Sequence, residues 1–129
     1  MPKSAVKHPL FARAYARIAA HEDAHGGAEN RQELLAGLSG RVVEVGAGVG
    51  SNFEHYPEAV TEVIAVEPEP YLRDKATAAA AAASVSVRVV DGLADALPLE
   101  DESVDAGVAS LVLCSVPDQA AALAELRRA

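Results

Sequence analysis

The sequence predicts an α/β fold: the N-terminal part of a doubly wound parallel sheet, about four strands, preceded by two helices. Three observations carry this. Short runs rich in valine and isoleucine alternate with stretches of helical periodicity. The first two of those runs end in an acid, and the first then breaks into three alternating glycines. The last run is almost uniformly apolar or small, as expected of a strand covered on both faces.

The chain has 129 residues, enough for one core and too few for two ordinary domains. It divides into an N-terminal helical cap, residues 1–40, and a ligand-binding α/β domain, residues 41–129. Tryptophan is absent and aromatics are scarce, so the core must come from Val, Leu and Ala. The formal net charge is −8, and the 11 basic residues form no dense cluster. Nucleic acid is therefore excluded as the principal partner, because polyanion binding needs clustered Lys and Arg. Cys114 is the single cysteine, so no internal disulfide can form, and a cytoplasmic location is expected. The first residues lack the apolar core of a secretory signal. No apolar run reaches the roughly 18 residues a membrane span needs.

Leu10, Phe11, Ala14, Tyr15 and Ile18 recur at helical spacing, and Pro9 suits the first turn of that helix. His21, His25, Glu22 and Asp23 follow at its polar end. No further ligands stand at metal-site spacing, so no metal is expected. A second helix over 29–38 carries Leu34, Leu35 and Leu38 as its apolar stripe, and Ser39-Gly40 stops it. Val42, Val43 and Val45 begin the first strand at about Arg41, since branching at Cβ favours the pleated backbone. After the glycine loop, residues 51–56 form a short helical stretch that Pro57 ends.

Glu62 to Glu67 is the second strand, which Pro68 and Pro70 close. A helix from Tyr71 to Ala83 ends in six alanines, whose small side chains allow close packing on a sheet. Ser86 to Val90 is the third strand, turned by Asp91-Gly92. After an acidic loop, the fourth strand runs from about Val104 to Leu113. Pro117-Asp118 then opens a last helix to Arg128, with Leu123 and Leu126 facing inward. An apolar fourth strand leaves an edge that needs cover. Either the natural chain continues past Ala129, which fold completeness favours, or the edge pairs with another copy in a homo-oligomer.

Ligand is expected beyond the carboxyl ends of the strands, at the switch in strand order. A strand, a glycine loop and an acid about 20 residues later suit a nucleotide-type ligand, with Glu67 accepting from ribose hydroxyls. The loop distinguishes two candidates. A dinucleotide fingerprint needs its third glycine at position 51, which is serine; the glycine falls instead at Gly50. Glu44, just before the loop, would repel a pyrophosphate and attract an ammonium. S-adenosylmethionine carries an ammonium, a ribose and a sulfonium and has no phosphate. The loop therefore favours it over NAD.

E-V-G-A-G-V-G at 44–50 resembles the first motif of class I S-adenosylmethionine-dependent methyltransferases, whose fold is Rossmann-like. G-S-N-F-E-H-Y-P at 50–57 and S-L-V-L-C-S-V at 110–116 are similar to the small methyltransferase-like thiol methyltransferases and their bacterial relatives. The N-terminal H-P-L-F-A-R is similar to them more weakly.

The resemblance implies that Gly46, Ala47, Gly48 and Gly50 pass under the methionine part and that Glu44 holds its amino group, directly or through water. It further implies Glu67 on the ribose, Pro68 in the cofactor wall, and Asp91, Gly92, Leu93 and Ala94 around adenine. The family's acid in that last loop falls at Asp95 with a displacement of one position. Leu111 would line the methyl-transfer end. The implied reaction is methyl transfer to a small-molecule acceptor, a thiol by the narrower resemblance, with quinone rings and small natural products left open. No residue is marked as a catalytic base, and Cys114 reads as core. Tyr15 and His21 read equally as a lid over the cofactor or as packing and surface. A non-catalytic S-adenosylmethionine-binding module, dimerising through the fourth-strand edge, is the alternative.

Overall fold

The computed structural model describes residues 10, 13, 14, 17, 18, 26–109 and 118–129. Leu111, Cys114, Tyr15, His21 and His25 lie outside the described residues, as does the expected end of the fourth strand.

Four parallel strands form one sheet: β1 (Gly40–Val45), β2 (Val60–Val66), β3 (Val87–Val90) and β4 (Ala106–Ala109), in the order β3-β2-β1-β4. Successive strands step outward from β1 to β3, and β4 then returns to the other side of β1. The order therefore reverses at β1, whose carboxyl end faces the gap between its two neighbours. Val45 pairs with Val66 on one side and Ala109 on the other, so the glycine loop begins level with the end of β2 and with the last described residue of β4. Helices flank both faces, as the alternation of elements predicts.

Alternation along the strands divides the core in two. Val42, Val63, Ala65 and Val108 share one cluster with Leu35, Phe53, Tyr56 and Ala76. Leu35 belongs to α1 (Ala28–Leu35) and Ala76 to α2 (Pro70–Ala82). Val43, Val45, Ile64 and Val66 share the other cluster with Leu97 and Leu126, the latter on α3 (Gln119–Arg128). A two-residue side-chain period in a sheet requires this split. Gly107 is small because Leu126 lies on it: a Cβ there would come within 2.9 Å of the leucine Cδ2.

The helix starts follow ordinary capping chemistry. Glu69 caps α2 by accepting from Leu72 N at 2.8 Å, with Pro70 in the first turn. Asp118 caps α3 by accepting from Ala121 N at 3.0 Å.

Three expectations need correction. The stretch after the glycine loop is only a 3-10 turn, Phe53–His55. α1 ends at Leu35, three residues early, as the chain turns through Ala36 and Gly37. Leu34 and Leu123 do not face inward; they are 55% and 53% exposed. Each sits about 100° around its helix from the residue that does pack, Leu35 and Ala122 respectively. Leu10 and Ile18 are helical, as their spacing predicts, and exposed.

Candidate cofactor site

The site begins where β1 runs out. Gly46, Gly48 and Gly50 all have positive φ, at 68°, 61° and 84°, the left-handed region that costs other residues roughly 1–2 kcal/mol. The loop folds back over the end of β2, with Gly46 N and Ala47 N both donating to Val66 O at 2.8 and 3.2 Å. Gly48 N then donates to Glu67 Oε1 at 2.9 Å.

Glu67 is the centre of this side of the site. Its second oxygen, Oε2, accepts from Glu69 N at 2.8 Å. One carboxylate thus ties the glycine loop to the start of α2 entirely through backbone N–H groups. Burial raises its pKa, and those two N–H bonds oppose the rise. Arg73 braces the same corner. Its Nη1 donates to Glu67 O at 3.0 Å and Pro68 O at 3.1 Å, and lies 3.2 Å from Asp91 Oδ1. The ends of β2 and β3 are held together by that guanidinium.

Glu44 is held differently. It is 2% exposed, and its Oε1 accepts from the Tyr56 hydroxyl at 2.6 Å. The Asn52 side chain also favours the ionised carboxylate, and its carbonyl oxygen accepts from Arg31 Nη1 at 2.9 Å. Burial pushes the Glu44 pKa up to about 7, against the lowering effects of Tyr56, Asn52 and Arg31, while nearby Glu67 adds to the rise. The Tyr56 phenol is raised as well, by burial and by Glu44.

The other expected site residues divide into two groups. Pro68 and Asp91 sit at the braced corner, and Leu93 is 36% exposed on a tight turn closed by Ala96 N to Leu93 O. Ala94, by contrast, packs against the core cluster of Val43 and Val66. Ala47 is core too. Two glycines are small for packing reasons. A Cβ on Gly50 would meet two Phe53 ring carbons at 2.7 and 2.8 Å and Ala79 Cβ at 2.9 Å; one on Gly92 would meet Pro98 Cδ at 2.9 Å. Asp95 lies in the Leu93–Ala96 turn. Leu111 lies outside the described residues.

Tyr56, Asn52 and Arg31 went unassigned in the sequence reading. Tyr56 and Asn52 stand within the quoted segment 50–57, but nothing in their spacing points at Glu44. Arg13 is a further addition: its guanidinium carbon lies 5.6 Å from the centroid of the Tyr71 ring, at the start of α2.

A methyltransferase domain model matches residues 43–129, most of the chain. The chain belongs to the class I S-adenosylmethionine-dependent methyltransferases. It is 36% identical over 99 residues to human thiol S-methyltransferase TMT1B, covering 73% of this chain and 40% of that protein. A SAM-dependent methyltransferase from Thermotoga maritima, described as a possible histamine N-methyltransferase, superposes with a TM-score of 0.72 at 28% identity. That match covers 92% of this chain and 54% of the other. A TehB-like SAM-dependent methyltransferase from Corynebacterium glutamicum shares the fold, with a TM-score of 0.71 at 20% identity over 95% of this chain and 68% of that one. The chain spans about two fifths of the length of the curated relative and about half that of the first of these structures.

This family and fold imply S-adenosylmethionine binding, and the donor set fits it. A carboxylate offers about four lone-pair sites. Glu67 uses one on each oxygen for backbone N–H groups, which leaves acceptors for two ribose hydroxyls. Two buried carboxylates at neighbouring strand ends suit a cationic ligand and oppose a pyrophosphate. Among the described residues, no helix is long and apolar enough to cross a membrane.

Proposed function

We propose that this protein takes part in methyl transfer from S-adenosylmethionine to a small-molecule acceptor, with a thiol as the favoured acceptor class. The carrying observation is Glu67, whose two oxygens join the glycine loop to the α2 start at the switch in strand order. The thiol class is supported by the 36% match to TMT1B.

Bound there, S-adenosylmethionine supplies an electrophilic methyl group on a sulfonium sulfur, which an acceptor thiolate takes up. Glu67 accepts from the ribose hydroxyls. Gly46 and Gly48 bring bare backbone close to the methionine part, with Ala47 and Gly50 holding the loop on the core behind them. Pro68 walls the ribose, and Asp91, Gly92, Leu93 and Ala94 frame the adenine, Leu93 by its exposed side chain. Glu44 supplies negative charge opposite the ammonium. These residues position and do no acid–base work. Positioning alone is worth on the order of 7–11 kcal/mol of the barrier, and a thiol ionises near neutral pH without a strong base.

Calorimetric titration with S-adenosylhomocysteine and with NAD tests the cofactor, and assays with a small thiol and with histamine test the acceptor. Binding of S-adenosylhomocysteine and not NAD is expected; the reverse sinks the proposal. Glu67→Ala should weaken S-adenosylhomocysteine binding by roughly 1.5–3 kcal/mol, the range for hydrogen bonds to a charged group. Unchanged affinity removes Glu67 from the site.

A further inference from the structure

Glu44 is expected to meet an ammonium, yet it is enclosed by Tyr56, Asn52 and Arg31 and almost wholly removed from solvent. We infer that Tyr56, Asn52 and Arg31 are positioning residues that hold the Glu44 carboxylate beneath the glycine loop as a buried counter-charge for the amino group of the methyl donor. The inference rests on the cofactor reading above and adds residues and a mode of action to it.

The geometry supports this in three steps. First, the acid is fixed. Tyr56 donates to one oxygen at 2.6 Å, within the short range of bonds to a carboxylate. Second, the network is polarised in one direction. Arg31, on α1, donates to the Asn52 amide oxygen, and both side chains favour the ionised acid, the part-buried cation by its charge. Third, the charge lies where screening is weak. Glu44 is the second residue before Gly46, and water is excluded from it, so its field passes through the loop undiminished by solvent.

Among the described residues, three titratable or charged groups act on Glu44. Tyr56 faces it from beyond the 3-10 turn, Arg31 from α1 and Glu67 from the end of β2. Tyr56 and Arg31 favour the ionised acid, and Glu67 opposes it. Loss of either helper raises the Glu44 pKa above its present value near 7. At neutral pH the acid is then mostly protonated, and the ammonium loses its counter-charge.

The test separates the amino-acid part of the ligand from the nucleoside part. S-adenosylhomocysteine carries both; 5′-methylthioadenosine carries adenine, ribose and sulfur and has no amino acid. Titration of the full chain and its Tyr56→Phe variant with both compounds, across pH 6 to 9, reads the effect. Tyr56→Phe should lower S-adenosylhomocysteine affinity about tenfold at neutral pH and leave 5′-methylthioadenosine affinity unchanged. Higher pH should restore the lost affinity. Equal losses for both ligands, which a merely structural role would give, overturn the inference, as does no loss for either. Should Tyr56→Phe fold poorly, Arg31→Gln on the half-buried face of α1 carries the same expectation. If the unsubstituted chain binds neither compound, the cofactor reading itself fails, and that result is distinct from the others.

Discussion

Glu44 and Glu67 end neighbouring strands, are both buried and both have raised pKa values, yet they are held in opposite ways. Glu67 is bound by backbone N–H groups from Gly48 and Glu69. Glu44 is held by side chains: Tyr56 donates to it, and Asn52 and the Arg31 that bonds it favour its charge. A backbone cradle exists wherever the loop folds, and no substitution short of proline removes its donors. A side-chain cradle can be changed one residue at a time, and it can be tuned. The first arrangement suits a fixed hydrogen-bond acceptor, and the second suits a charge whose ionisation matters.

The largest way to break the contrast is to destroy the loop on which both acids depend. Gly50→Val places a branched side chain at φ 84°, against Phe53 and Ala79 at under 3 Å. Backbone strain and overpacking add to a cost of about 4 kcal/mol. Urea denaturation should show that loss, and a loss below about 1 kcal/mol would mean that the loop can shift to accommodate the side chain.

A smaller effect isolates Glu44. Its folded pKa, about 7, stands above the ordinary 4.5, so the folded chain binds a proton more readily than the unfolded one between those values. Stability therefore falls as pH rises through that window, by up to about 3 kcal/mol from this residue. Glu67 shifts in the same direction and contributes its own share. Glu44→Gln cannot ionise, so the gain in stability from about pH 8 to about pH 5 should shrink by about 3 kcal/mol. Denaturation curves at the two pH values measure this, and the same gain in both proteins would deny Glu44 the role. The same acid thus pulls two ways: the fold is steadier when it is protonated, and an ammonium ligand needs it ionised.

The contrast also explains what could be read from the sequence. Glu67 stands out in the sequence because its surroundings are marked locally, by a β-rich run, an acid, then Pro68 and Pro70 to start a capped helix, although the Gly48 N–H reaches it from the loop after β1. The parallel sheet with helices on both faces followed from alternation of element types; the order β3-β2-β1-β4, with its switch at β1, is set by the pairing of the folded strands. The partners of Glu44 were not legible, because Tyr56 and Arg31 reach it from different elements and only the folded core brings them together. Gly50, named for its approach to the ligand, is required as well by its φ of 84° and by its contact with Phe53 and Ala79, which no spacing reveals. Leu34 and Leu123 were misjudged for a related reason. A leucine beside the true buried position satisfies a loose helical pattern, and only the sheet decides which one packs.

Arg73 offers the smallest and finest test, because among the described residues its side chain braces the Glu67 corner. All its contacts to Glu67 O, Pro68 O and Asp91 leave from a single nitrogen, Nη1. The guanidinium fork is thus not what these contacts use, and a lysine ammonium with three hydrogens can serve in its place. Arg73→Met should cost about 1 kcal/mol of stability, the pair being partly exposed and so partly screened. Arg73→Lys should recover most of that. Both ligands, S-adenosylhomocysteine and 5′-methylthioadenosine, should weaken together in Arg73→Met, since the corner serves the ribose they share. A loss confined to S-adenosylhomocysteine would place Arg73 with the Glu44 network instead and would collapse the division between the two acids.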